Sequence, residues 1–325
     1  MKIRSTAIAL ALCLLGLASL VEAEETYPSR TVRILAPAAG VSTDVIARIF
    51  ADKLGKRLGQ PFVIDNRPGA AGSIAAQAAL AAPADGYTVL AVNAAHALNN
   101  LLYDNLTYDS LRDFAGVALV ADAPFVLAVN PKLGVRTIQE FIALAKQKPG
   151  SINYASAGFG STTHLAGALF ARRAGIDIVH VPYKTSANLI TDLLGGQVEA
   201  TFVPTVFLLK QLQDGSVRAL AATSRTGISD PVPAPGVQEA TGLDYEFTSW
   251  NGFVVNAKVP TAVREHLARE IELTAQDEDV RTRLRGVGQS VRVLKTADYD
   301  AFMKADADRL APILRAGKPA AEKDR

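Results

Sequence analysis

The chain has 325 residues, 49% hydrophobic and 20% charged, which describes a globular protein with ample core and length for two domains. Its formal charge is +2 with no basic block, so electrostatics give no case for nucleic acid or a membrane surface as partner. The single cysteine, Cys13, lies in the N-terminal apolar segment, so the rest of the chain carries no disulfide and no cysteine metal site.

The chain opens on basic Met1-Lys2-Ile3-Arg4, and an apolar run over residues 7–21 ends in Val21-Glu22-Ala23, a small-residue secretory cleavage pattern. A membrane-spanning helix needs about 20 apolar residues. Residues 1–23 therefore read as a signal peptide cleaved after Ala23, which leaves a formal charge of +1 once Lys2, Arg4 and Glu22 are gone. Leu12 before Cys13 is too large for a lipid-attachment signal.

Strand-like and helix-like runs then alternate. Strands are expected at residues 32–35, 62–64, 87–92, 125–129, 152–154, 178–181, 200–203 and 217–222. Helices are expected at 45–58, 75–82, 138–146, 165–174 and 187–194. This βαβ period predicts an α/β protein with parallel sheets, helices on both faces and a binding crevice at the carboxyl ends of the strands. Turn chemistry is strong at Arg67-Pro68-Gly69, Ala84-Asp85-Gly86, Lys148-Pro149-Gly150 and residues 230–236. Residues 121–124 and 248–252 are the candidate crossings between domains, and the polar tail 318–325 reads as frayed.

Two of the turns carry the chemistry. Residues 36–44 and 155–164 each join a strand to a helix through glycine and small hydroxyl residues. Glycine lets backbone approach a ligand, and the following helix points free N–H groups and its positive dipole end into the turn. Both suit a small anion, and neither needs a charged side chain. Asp44 and His164 fall in the first turns of these helices, where the dipole favours a carboxylate and a histidine can pack or reach a ligand.

Other chemistries fit less well. The run Gly158-Phe159-Gly160-Ser161-Thr162-Thr163 lacks the third glycine of a dinucleotide fingerprint. Ser156 lacks the first glycine of a nucleophile elbow, so a hydrolase using Ser156 or Ser161, with His164 or His180 as base, is the enzyme alternative. His96, His164, His180 and His266 have no metal-ligand spacing, and no cofactor is implied.

Several segments resemble the tripartite tricarboxylate transporter substrate-binding proteins, or Bug-type receptors. They include residues 27–33 and 58–72, Ala84-Asp85-Gly86-Tyr87-Thr88, residues 153–158, Val181-Pro182-Tyr183-Lys184, residues 192–198 and Ser249-Trp250-Asn251-Gly252. They run in the family's order from about residue 26 to residue 315. The resemblance implies a type II periplasmic binding protein, a two-lobed Venus flytrap with hinge strands between the lobes. Residues 24–122 plus 250–325 would form the first lobe and residues 123–249 the second. It further implies a non-enzymatic receptor, monomeric in the simplest case, that closes on a small organic acid and presents it to the membrane components of a tripartite transporter. A sensory receptor for a membrane signalling protein is the other receptor alternative.

In the family the ligand carboxylate is held largely by backbone groups and ordered water. The corresponding positions here are Ala38, Ala39, Gly40, Val41, Ser42, Thr43 and Asp44 in the first turn, and Ser156, Ala157, Gly158, Gly160, Ser161, Thr162 and His164 in the second. Asn93, Ala94 and His96 would form a third wall, and Tyr183, Lys184, Pro204 and Thr205 a fourth. The family's first turn usually holds an aromatic residue and two glycines. Here Ala38-Ala39-Gly40-Val41 is about one residue shorter with one glycine, which opens space and restricts the backbone. Dicarboxylates, aromatic acids and amino acids all stay open as ligands.

Overall fold

The computed structural model describes residues 27–69, 72–103, 105–183, 186–229 and 232–317. The expected leader and its cleavage after Ala23, Lys184 and the tail 318–325 lie outside the described residues. The first stretch runs β1 (Val32–Ala36), α1 (Ser42–Leu58), β2 (Phe62–Asn66), α2 (Ser73–Ala81), β3 (Thr88–Asn93), α3 (Ala94–Leu102) and β4 (Phe114–Val129). The second runs α4 (Ile138–Gln147), β5 (Asn153–Ser156), α5 (Thr162–Ala174), β6 (Val179–Pro182), α6 (Ser186–Gly195), β7 (Ala200–Pro204), α7 (Leu209–Gln213), β8 (Arg218–Ala222) and α8 (Val237–Thr241). The chain closes with β9 (Thr248–Asn256), α9 (Thr261–Ala275), α10 (Glu278–Gly286), β10 (Ser290–Lys295) and α11 (Thr296–Gly317).

Among the described residues ten strands join one sheet whose halves share β4. In the first half β2, β1 and β3 are parallel, and β9 joins β3 to β4 antiparallel. In the second half β7, β5 and β6 are parallel, with β7 and β8 antiparallel to β4. The handover is sharp. Pro124 is the last β4 residue opposite β9, at Thr248, and Phe125 is the first opposite β7, at Pro204. Proline has no N–H to give a ladder, so it is tolerated where β4 changes partners.

The expectation of parallel sheets is corrected here. The βαβ units are parallel, but β4, β8, β9 and β10 run antiparallel. These strands pair with partners far away in sequence, and alternation of local elements carries no record of that. The crossings expected at residues 121–124 and 248–252 fall inside β4 and β9, which pair there with each other.

Amphipathic helices cover both faces. Ile46 and Phe50 of α1, Leu267 of α9 and Leu284 of α10 pack under the first half. On the opposite face a single apolar cluster runs from Leu98 of α3 through Leu310 and Leu314 of α11 to Leu165 and Phe170 of α5. Helix α11 therefore ties the halves together. Leu189, Val203 and Leu208 form a smaller cluster on the far face of the second half.

Candidate ligand-binding cleft

The two turns are built to one plan. In the first, Gly40 has φ +77°, Val41 is the N-cap of α1, and the Asp44 carboxylate reaches back to accept the Gly40 N–H at 2.9 Å. In the second, Gly160 has φ +74°, Ser161 is the N-cap of α5, and His164 Nδ1 accepts the Gly160 N–H at 3.2 Å. Glycine is needed at both places because L side chains rarely adopt this left-handed backbone. The reach-back from the third helical residue fixes the turn while the first N–H groups of each helix face outward.

Asp44 is committed to holding its turn. Its carboxylate also accepts from Asn66 Nδ2 at 2.8 Å and from Arg48 Nε at 3.0 Å, and its side chain is 3% exposed. Burial alone would raise its pKa, but bonds from Arg48, Asn66 and the Gly40 N–H outweigh that and hold it below the usual carboxylate range. Asp44→Ala is expected to cost about 2 kcal/mol, since it breaks buried charged hydrogen bonds and leaves Arg48 without its carboxylate. Asp44→Asn, which keeps one acceptor, should cost less. Urea titration of both variants checks this, and equal stabilities would remove the clamp role.

Thr43 ties the turn to the sheet. Its hydroxyl donates to Asn251 Oδ1 of β9 at 2.9 Å and accepts from Asn93 Nδ2 of β3 at 3.1 Å, while Asn93 Oδ1 caps α3 through the Ala95 N–H. Gln289, just before β10, donates through Nε2 to Ser42 Oγ at 3.4 Å. The same glutamine lines a cavity of about 400 Å³ together with Pro124, Thr205, Val206 and Ser290, so residues of both halves face each other there.

The second turn is tighter. Ser161 Oγ donates to the Gly158 carbonyl at 2.6 Å and caps the His164 N–H, and Thr163 Oγ1 accepts the Ala157 N–H at 2.8 Å. A Cβ on Gly160 would stand 2.4 Å from Leu102 Cδ2 at the end of α3, so the second-half turn rests against the first half. His164 and His180 rings lie 4.3 Å apart, centroid to centroid. Burial, helped by the neighbouring His180, pulls the His164 pKa down to about 4, so its neutral ring can accept the Gly160 N–H.

Ser156 Oγ lies 2.5 Å from His180 Nε2, the pairing a nucleophile would need. The residue is completely buried, however, and the same hydroxyl accepts the Gly158 N–H at 3.0 Å. In this arrangement the hydroxyl braces the turn between Gly158 and His180.

Of the predicted residues, Ala39, Gly40, Val41 and Ser42 form an exposed lip, with Ala38 half-buried beside them. Thr43, Ala94, His96, Ser156, Gly160, His164 and Thr205 are buried. Asn93, Gly158, Ser161, Thr162, Tyr183 and Pro204 are half-buried, and Ala157 is exposed. His96 stacks edge-on against Phe114, 4.9 Å away, and Tyr183 donates to Asp192 at 2.7 Å. Sequence reasoning missed the supporting residues Arg48, Asn66, Thr163, Asn251 and Gln289. Only Thr163 had a local signal, as the counterpart of Thr43 two residues after the N-cap.

The model of the tripartite tricarboxylate transporter family receptor matches residues 46–318. BugT of Bordetella pertussis is 32% identical over 303 residues, which cover 92% of this chain and 93% of that protein. Rpa4515 of R. palustris, solved with adipate, is 32% identical with TM-score 0.74, over 89% of this chain and 97% of that one. MatC from Rhodopseudomonas palustris, solved with bound malate, is 29% identical with TM-score 0.70, over 89% of this chain and all of that one. Among the described residues no helix is long and apolar enough to cross a membrane. With two α/β halves joined by crossing strands and a match over most of its length, the chain belongs to the tripartite tricarboxylate transporter receptors, the periplasmic solute-binding proteins of Bug type.

Proposed function

We propose that this protein captures a small carboxylate-bearing organic anion between its two lobes and delivers it, unreacted, to the membrane components of a tripartite-type transporter. The observation that carries this reading is the pair of like-built turns, one from each half, whose helix N-termini supply N–H donors without a cationic side chain. The adipate and malate bound by Rpa4515 and MatC support the same ligand chemistry. The lobes would comprise residues 24–122 plus 250–325, and 123–249, in keeping with the partner change of β4 at Pro124. Export to the periplasm would follow cleavage after Ala23, and a monomer suffices for closure.

In this mechanism the open protein admits the acid to the Ala38–Asp44 turn, where backbone N–H groups and Ser42 take the carboxylate, with water completing its shell. Ser161 and Thr162 take the far end, with Asn93, Tyr183 and Thr205 as side walls. The ligand touches both lobes only when they are closed, so its binding energy shifts the population toward the closed form.

A thermal-shift screen of residues 24–325 against small carboxylates and their uncharged amides tests this directly. A ligand at 100 times its dissociation constant should add roughly 2.7 kcal/mol of stability, read as a raised melting temperature. A rise with an acid but not its amide is expected; a rise with the amides alone would defeat the anion reading. Ser161→Phe should fold, losing about 1 kcal/mol with its cap, yet lose ligand-induced compaction in small-angle scattering. Unchanged affinity in calorimetry would count against this placement.

A further inference from the structure

The two turns share a plan but differ in what fills the space beside their glycines. A Cβ on Gly40 would meet nothing within 4 Å, so glycine serves there through its backbone angle alone. At Gly160 a methyl of Leu102, from the first half, occupies that space, 2.4 Å from where the Cβ would stand. The arrangement recurs with the halves exchanged. Gly288 of the first half, at φ +70°, leaves room for Val206 of the second, whose Cβ lies 3.1 Å from where a Cβ on Gly288 would stand. Among the described glycines, only these two have that space filled by the opposite half.

Each seat belongs to a turn. Gly160 is part of the second turn, where His164 holds its N–H, and Gly288 precedes Gln289, whose amide meets Ser42 of the first. A side chain that arrives at a glycine comes to rest on backbone, which cannot rotate aside as a neighbouring side chain can. Val206 is 40% exposed, so its contact with Gly288 contributes little to any core. We propose that the two seats are closing stops: the lobes come to rest with Leu102 on Gly160 and Val206 on Gly288, and these contacts set the distance between the turns. Leu102 and Val206 are then positioning residues, which limit the span of solute that both turns can hold at once. This rests on the two-lobed closure described above and adds what ends it.

Residues 24–325 contain no cysteine, so Val206→Cys combined with Gly288→Cys introduces the only two thiols. Their Cβ positions stand close to the ~3.8 Å that a disulfide spans. Oxidation of this ligand-free double variant should lock the lobes shut and lower its radius of gyration in small-angle scattering, and reduction should reverse the change. A disulfide that fails to form means a seat that never closes, and one that forms without compaction means a contact already made in the open protein; either overturns the stop. A second variant, Val206→Phe, checked for folding by its melting temperature, wedges the seat. Its ligand-free radius should match the parent's, whereas malate and adipate should bind about tenfold more weakly in calorimetry, the scale of one overpacked contact. Unchanged affinity together with unchanged ligand-induced compaction overturns the stop as well. If the parent binds neither acid, the carboxylate reading loses its support, and the oxidised and reduced forms still decide the stops.

Discussion

Trp250→Ala is expected to lower the stability of the whole protein by about 3–5 kcal/mol, the range for truncating a fully buried large aromatic side chain. Trp250 is 1% exposed and sits on β9 opposite Asp122 of β4, two residues from the point where β4 passes between halves. Its ring meets Tyr299 and Phe302 edge-on, each 5.8 Å away, and its indole N–H donates to Asp306 Oδ2 of α11 at 2.8 Å. Arg309, from the next turn of α11, bonds Asp306 and the Glu246 carbonyl of the second half. The indole thus joins the crossing strand to the helix that ties both halves. Truncation opens a cavity here and also leaves Asp306 with one partner fewer. Trp250→Phe, which keeps most of the apolar volume and loses the hydrogen bond, should cost only about 1–3 kcal/mol. Differential scanning calorimetry separates the two, with the alanine variant melting on the order of 10 °C lower. An alanine variant within 1 kcal/mol of the parent would mean that this junction contributes little to the fold.

The same residues mark what local sequence could and could not disclose. The strand–turn–helix units were legible because their signals are local: an apolar run, glycine and hydroxyl residues, then helical spacing. Helix α1 begins at Ser42 and α5 at Thr162, each three residues earlier than periodicity placed them. Polar residues at an N-terminus carry capping chemistry and no apolar period. The clamp of Asp44 by Asn66 spans 22 residues and the Thr43–Asn251 bond spans 208, so neither leaves a local pattern. Strand β4 was read only from Phe125 onward, because Pro124 looks like a terminator; the ladder shows instead that it occupies the switch between two sets of partners. Families of side chains that support a turn from behind are set by topology, whereas the turn itself is set by composition. This is why the two turns could be named from the chain and their supports could not.

Acid should destabilise the protein before the Asp44 clamp titrates. His96 and His164 are buried, and burial pulls each imidazole down to about 4, with His180 adding to the effect on His164 and the Ser110 backbone opposing it slightly at His96. His180 is lowered by burial as well. In the unfolded chain all three return to about 6.5. Between these values the unfolded state binds more protons than the folded one, so unfolding free energy rises with pH. Stability is therefore full above about pH 6.5 and falls as the pH drops toward 4, by about 3 kcal/mol for each of His96 and His164. Asp44 has a lowered pKa and retains its charge through this window, so its contribution is lost only at lower pH. The loss also has a local form. Protonated at Nδ1, His164 can no longer accept the Gly160 N–H, and it would face His180 as a like charge 4.3 Å away, ring to ring. The second turn should loosen first, whereas the first, locked by a carboxylate, should hold. Denaturant titrations from pH 7.5 to pH 4 measure the slope, and His164→Gln, which cannot be protonated, should remove its share. Hydrogen exchange at the Gly160 amide, compared with that at Gly40, reads the local step. A stability that stays flat from pH 7 to pH 5 would mean that the buried imidazoles take up protons in the folded protein as readily as in the unfolded chain, and the neutral lock on the second turn would have to be given up.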